Sequence, residues 1–391
     1  MDIEFGRSAR GLWSLASDAT FLNHGSYGAC PRVVQAEQDR FRREMEAEPD
    51  DFVRRNIVPT GDGTPLRAVA ARLGGLVGAP ANRVALVENA TVAIQSVLQS
   101  IDLDRGDEIL ITSHQYNAVR LQVEARCRET GAVPRIVQIP LPTTADEALG
   151  RIREAAEPRV KLAIIDHITS ATALVLPIVE IVAALRERGG TRAGGRGPRH
   201  RLGPAGPRRN WRGLVRHQRP QMALCAQGQR ASARCRRRRG DDPPVRDQPL
   251  YRNGFSQVVR LSGDRDYSGW LAIPEAVRFY EQLGPDRLRR YNAGLIAFAS
   301  QQLLALGAEP VGPIGMCASM RAFMLPQRRE ALDSDALQLK QTLWDEARIQ
   351  VNSAVLDGSL IIRVSGQAYV EEEDFARLSA NLDHRGWPGR L

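Results

Sequence analysis

The chain has 391 residues and a mass of 43.1 kDa, long enough for a large core and two or three units at roughly 150 residues each. It is 43% hydrophobic and 25% charged, an ordinary globular composition, and no run approaches the ~18 uninterrupted apolar residues of a membrane span. The net charge of +9 is a local property: residues 191–250 hold 16 arginines against three acids, and the other 331 residues sum to −4. That distribution rules out a nucleic-acid surface spread over the whole protein. Five cysteines (Cys30, Cys127, Cys225, Cys235 and Cys317) are scattered without a CxxC pair, so neither a disulfide framework nor a zinc module is indicated. The opening Met-Asp-Ile-Glu-Phe lacks the basic-then-apolar layout of a secretory signal, and a cytoplasmic location is expected.

From residue 83 to 188 the pattern alternates strands and helices. Residues 83–87 form a short apolar run, and 91–100 carry helical spacing at Val92, Ala93, Val97 and Leu98. Residues 108–112 predict a strand and 119–130 a helix, then 135–139 a strand and 146–156 a helix. Residues 161–166 read as a strand buried on both faces, and Pro177 opens a helix over 178–188. Such alternation argues a parallel sheet covered by helices. Residues 191–250 break this logic, with no periodic apolar face, many Gly and Pro, and four consecutive arginines at 236–239. Patterning resumes at Tyr251, with helices over 270–283 and 288–306, a strand at 320–325, a helix over 337–347, a strand at 359–364 and a helix over 371–382. The expected division is an N-terminal arm at 1–30, a large α/β domain over 31–285 and a small C-terminal α+β domain over 286–391.

Polar residues gather at the predicted strand ends. Glu88-Asn89-Ala90-Thr91 lies where a strand feeds a helix, and free N–H groups at a helix start suit a phosphate or a plain cap. The next strand ends in Ser113-His114-Gln115-Tyr116-Asn117, and a later one in Asp166-His167-Ile168-Thr169-Ser170. In open α/β sheets that edge is where ligands bind. Arg363 interrupts the apolar run 360–364, and a buried arginine needs an anion, either an internal acid or a substrate carboxylate. Residues 21–28, FLNHGSYG, form a polar, glycine-rich loop early in the chain.

Taken in order, FLNHGSYG, ENATVAIQSVL, SHQYNAV, DHITSATALVLPI, NGFSQ, SGDRDYSGWLAIP and IIRVSGQAYVEEEDF resemble the aminotransferase class V family. That family belongs to the pyridoxal-phosphate (PLP)-dependent, fold-type-I enzymes, and the isopenicillin N epimerase-like branch is the nearest in flavour. The resemblance spans residues ~20–188 and ~251–385, and an ordered set is more specific than any single motif. It implies a large α/β domain with a mostly parallel sheet, a small α+β domain, and chemistry at the α-carbon of an amino acid: epimerisation, transamination or side-chain elimination. Ala90 and Thr91 would hold the cofactor phosphate, and His114 or Tyr116 would stack on its ring. Thr169 or Ser170, with His167 nearby, would sit close to the ring hydroxyl. Arg363 would bind the substrate α-carboxylate, with Asn23 and His24 lining the substrate side. Ser262, Gly263 and Asp264 match a segment that reaches the phosphate of a neighbouring subunit, implying a homodimer.

Two family essentials belong between residues 190 and 250: an aspartate at the pyridine nitrogen and the lysine that forms the Schiff base. The chain holds only two lysines, Lys161 and Lys340, and neither falls there. Arginine cannot replace a lysine nucleophile because it stays protonated. A shifted reading frame accounts for the segment. Starting each codon of Pro220–Gly228 one base later forces Trp from Met222 and the following Ala codon, and Lys or Arg from Gln221 and the following Met codon. The run can then read His-Lys-Trp-Leu-Cys-Ala-Pro-Lys-Gly, which resembles the family's lysine motif. Leu214–Gln218 becomes compatible with Trp-Tyr-Val-Thr-Asn in the same register. The Schiff-base lysine is thus expected near Gln221-Met222, and the chain as written is expected to be inactive. The competing reading is a non-catalytic protein that binds nucleic acid or acidic partners through the basic 191–250 segment; Trp211 is its only aromatic residue.

Overall fold

The computed structural model describes residues 3–58, 63–188, 230–233 and 265–384. A two-residue strand, β1 (Thr20–Phe21), precedes helices α1 (Arg32–Ala47), α2 (Pro49–Asn56) and α3 (Pro65–Val77). Four strand–helix units follow: β2 (Val84–Val87) with α4 (Ala90–Gln99), β3 (Glu108–Thr112) with α5 (Asn117–Thr130), β4 (Val133–Val137) with α6 (Ala145–Ala155), and β5 (Val160–Ala163) with α7 (Ile178–Arg188).

β3 is the axis of this half, flanked in parallel by β4 and β5. Its side chains alternate across the sheet. Ile109 and Ile111 pack with Ile94, Leu98, Val119 and Val123 from α4 and α5. Leu110 turns the other way, toward Ile152 of α6 and Ile181 of α7. Helices therefore cover both faces, the arrangement the alternation predicts. β5 is shorter than its apolar run and only half-buried, with Lys161 exposed, so the expectation of a strand sealed on both faces through 166 is corrected. Beyond Ala163 the Ile164 N–H still bonds Leu110 O at 2.8 Å, after which the chain leaves the sheet to build a loop. β4 starts two residues early because Val133 pairs with Glu108. Among the described residues β2 pairs with none of these strands but antiparallel with β6 (Arg230–Ala233), inside the stretch where the sequence predicts no element.

The run 270–283 divides into α8 (Ser268–Leu271) and α9 (Ile273–Gln282). Pro274 has no N–H to return to residue 270, so the helix restarts there. The C-terminal part contains α10 (Pro285–Ala305), β7 (Glu309–Pro310), β8 (Met320–Met324), α11 (Asp333–Ala347), β9 (Ile349–Gln350), β10 (Asn352–Leu356), β11 (Ser359–Ser365) and α12 (Glu372–His384). Its antiparallel sheet runs β10-β11-β8-β7. Phe323, Ile362 and Val364 pack on Leu295, Leu339 and Leu378 of α10, α11 and α12. Ala322 and Ile361 point oppositely, onto Leu174 and Leu176 of the α/β half. The N-terminal stretch joins the C-terminal core: β1 pairs in parallel with β9, and Trp13 and Leu22 are buried among these helices. This brings the FLNHGSYG loop beside β11, at the meeting of the two halves.

Candidate active site

Alternation along β11 decides where Arg363 goes. Leu360, Ile362 and Val364 belong to the helix-facing core, which leaves Arg363 on the face toward the α/β half. The side chain is buried, with 2% of the residue exposed. Its Nη1 donates to the Ser170 carbonyl, and its Nη2 donates to Asn23 Oδ1 at 3.1 Å and to Ser26 Oγ. Its Nε–H is buried without a partner among the described residues, where no carboxylate forms an ion pair with it. Burial draws its pKa down to about 10. A desolvated guanidinium supplied only with neutral acceptors is a costly arrangement that an arriving carboxylate relieves.

The loop that supplies Asn23 and Ser26 is tightly seated. Ser26 Oγ donates to Asn23 Oδ1 at 2.7 Å, and the Gly25 N–H donates to Ser365 Oγ at 3.2 Å. A Cβ at Gly25 would lie 1.9 Å from Met320 Sδ, so this close approach requires glycine.

The two candidate stacking rings are disposed differently. His114 is 3% exposed and has both ring nitrogens engaged: Nε2 lies 2.9 Å from Ile139 O, and Nδ1 lies 2.9 Å from Thr172 Oγ1. Burial holds its imidazole below the usual pKa, partly offset by the Ile139 carbonyl. Tyr116, two residues on at the N-cap of α5, is 43% exposed. Thr169 is buried, 2.6 Å from Thr172 Oγ1, and its hydroxyl accepts the Leu174 N–H at 2.8 Å. The half-buried His167 takes the Leu176 N–H on its carbonyl.

At the β2–α4 junction, Asn89 caps the helix by accepting the Val92 N–H at 2.9 Å, leaving the N–H groups of Ala90 and Thr91 at the helix start. Gln122 of α5 donates to Thr91 O at 3.2 Å, tying this junction to the helix that begins at Tyr116. Glu88 pairs with Arg265 at 3.1 Å, and the Arg265 guanidinium lies 4.9 Å from the Trp270 ring. Ser262, Gly263 and Asp264 lie just before Arg265 and outside the described residues, as does the Gln221-Met222 position.

The structure therefore joins Asn23, Ser170 and Arg363 directly, and His114 and Thr169 through Thr172. It does not bring His24 to them. His24 is 1% exposed, with Nδ1 2.7 Å from the buried Tyr369 hydroxyl. Burial pushes its pKa down to about 4. Unfolding returns it toward 6.5, so the unfolded chain binds the proton first. Stability is expected to fall by about 3 kcal/mol as pH drops from roughly 6.5 to 4. Urea unfolding across that range checks this, and a His24→Gln variant is expected to lose that component.

Ser26, Thr172 and the buried pair Gln115–Asp166, with Nε2 to Oδ2 at 3.2 Å, were not assigned roles from the sequence. The signal for Ser26 and Asp166 was their place in motifs already quoted. For Thr172 it was a second threonine three residues after Thr169. Neither lysine approaches the strand-end edge as an anchor. Lys161 Nζ lies 3.7 Å from Asp107 Oδ2 at the opposite, amino end of β3 and β5. Lys340 is half-buried on α11, with its pKa lowered by burial and by the Arg363 charge.

A parallel sheet covered on both faces by helices, with an antiparallel sheet packed against it, is the architecture of the fold-type-I class of PLP-dependent enzymes. The aminotransferase class-V pattern matches residues 29–191. The isopenicillin N epimerase of Amycolatopsis lactamdurans is 30% identical, over 96% of this chain and 97% of that protein. A putative L-cysteine desulfhydrase of Oryza sativa subsp. japonica is 28% identical over 91% and 81%. Among solved structures, the cystine C-S lyase C-DES in complex with its product cysteine persulfide superposes with a TM-score of 0.70 at 17% identity, covering 94% of this chain and 97% of that one. The chain belongs to the aminotransferase class-V family.

Proposed function

We propose that this chain carries the binding frame of a PLP-dependent enzyme acting at the α-carbon of an amino acid. The observation that carries the reading is Arg363, a buried guanidinium held, among the described residues, by neutral acceptors at the junction of the two halves. It binds and orients a substrate carboxylate, while Asn23 and Ser26 fix its plane. The residues present fit the non-covalent part of the cofactor. The capped start of α4 offers Ala90 and Thr91 to the phosphate, the exposed Tyr116 ring would cover the pyridine, and Thr169 or Ser170 would face the ring hydroxyl. When bound, the cofactor supplies an electron sink for the pair left at the α-carbon. Both epimerase and desulfhydrase names among the relatives are compatible with a reaction that starts there. Ser262 and Gly263 support a homodimer, each chain completing its partner's phosphate site.

The covalent anchor finds no match in either lysine: Lys161 is ion-paired at the amino end of the sheet, and Lys340 lies on α11 of the C-terminal part rather than at a strand end of the α/β half. We read residues 190–250 as a translation in a shifted frame, which removes the lysine and the pyridine-nitrogen aspartate together and leaves the chain catalytically defective. Binding is therefore the test. N-phosphopyridoxyl-L-alanine, the reduced cofactor–alanine adduct, carries phosphate, ring and carboxylate and needs no lysine. Titration calorimetry on the full-length chain is expected to give a Kd on the order of 10 μM, about −7 kcal/mol. No binding up to millimolar adduct overturns the reading.

A further inference from the structure

His114 is one of two rings open to a stacking role, yet its contacts describe a different task. A carbonyl only accepts, so the nitrogen facing Ile139 O, Nε2, carries the proton. The buried imidazole is neutral, which leaves Nδ1 bare and makes Thr172 the donor to it. With its proton committed to His114, Thr172 Oγ1 accepts from Thr169 at 2.6 Å. Thr169 in turn closes the turn 169–174: its hydroxyl takes the Leu174 N–H at 2.8 Å, and its own N–H donates to Leu174 O at 3.0 Å. Ala173 holds a left-handed φ of 52° inside this turn, a conformation that surrounding contacts must impose on a residue with a Cβ. Ser170, at the head of the turn, presents its carbonyl to Arg363 Nη1.

We propose that His114 is a positioning residue for the carboxylate-binding arginine: through Thr172 and Thr169 it fixes the turn whose Ser170 carbonyl aims the Arg363 guanidinium, and it does not stack on the cofactor. This rests on Arg363 being the carboxylate site. The relay is one-directional in its protons, from Thr169 to Thr172 to His114 to the Ile139 carbonyl, so one isosteric loss breaks it.

The test compares two reduced adducts, N-phosphopyridoxyl-L-alanine and N-phosphopyridoxyl-ethylamine, which differ by the carboxylate. It uses the full-length chain, with residues 190–250 as given and with their frame restored, since both share every residue of the relay. A charge-assisted pair predicts a carboxylate preference of about 10–100-fold in the parent. Thr172→Val is expected to cut that preference about fivefold or more while leaving ethylamine-adduct affinity unchanged; Thr172→Ser keeps the hydroxyl and is expected to restore it. A Thr172→Val preference equal to the parent's overturns the relay, and so does a loss that falls equally on both adducts, which puts His114 on the cofactor side. Arg363→Gln separates the two readings: if it leaves the preference intact, the carboxylate assignment fails as well. The nitrogen spectrum of 15N-labelled His114 gives a second readout independent of ligand, with Nε2 expected protonated and Nδ1 bare at neutral pH; the opposite tautomer overturns the relay.

Discussion

Replacing Arg363 by methionine is expected to abolish the preference for a carboxylate-bearing ligand, a loss of about 10–100-fold in relative affinity, while leaving the thermal midpoint unchanged or higher. The two halves of this expectation have separate causes. The binding half follows from geometry: Arg363 is the buried cation between β11, the FLNHGSYG loop and the turn at Ser170. Methionine offers no donor to any of them. The stability half follows from electrostatics. A guanidinium out of water with no acid beside it among the described residues has no Coulombic return from them for its desolvation, and an apolar side chain of similar length removes that penalty. Of the neighbours, Ser26 and Asn23 keep their mutual bond at 2.7 Å, and the Ser170 carbonyl alone is left without its side-chain donor. A calorimetric scan paired with the two-adduct titration checks both halves. A variant that unfolds far earlier yet still prefers the carboxylate adduct would make Arg363 a structural residue and remove the central support for the proposed function.

The contrast between what the sequence disclosed and what it withheld has a physical basis. The strand–helix alternation from 83 to 188 was legible because each element packs against its chain neighbours, so period 2 in β3 and period 3.6 in α4 and α5 report the same core. Arg363 was legible for a similar reason: one charge inside an apolar strand leaves few places to go. The burial of His24 was not legible, because a polar residue in a glycine-rich loop reads as a surface residue and nothing local announces that Tyr369, 345 residues away, receives it. The choice between His114 and Tyr116 was equally opaque. Both lie in one motif, and their different settings come only with the fold: His114 meets Thr172 and Ile139, and Tyr116 is 43% exposed. β2 illustrates the remaining limit. Its apolar run predicts a strand, but its partner, β6, comes from the stretch whose composition predicts none.

Restoring the reading frame across residues 190–250 is expected to convert a colourless chain into a yellow one that borohydride fixes covalently to its cofactor, with turnover at least about 10^3-fold above the chain as written. Gln221→Lys or Met222→Lys alone is expected to do neither. On the proposed shifted frame, the lysine, the aspartate that keeps the pyridine nitrogen protonated and the strand-forming patterns between α7 and Tyr251 are lost together, so a lone amine would return one component to a site still lacking the others. Two words recovered in a single register, one from Leu214–Gln218 and one from Pro220–Gly228, argue for a single lesion bounded by two edges over scattered substitution. Re-reading the gene from an independent genomic sample tests the same point at the level of bases: compensating single-base differences near codons 190 and 250 mark the edges. Full activity from either single lysine variant would show that residues 190–250 already supply everything else the site needs, and the frame-shift account would fall. Unaltered codons together with an inactive frame-restored chain would instead make the arginine-rich segment native to a protein that keeps the family's carboxylate-binding frame without its chemistry.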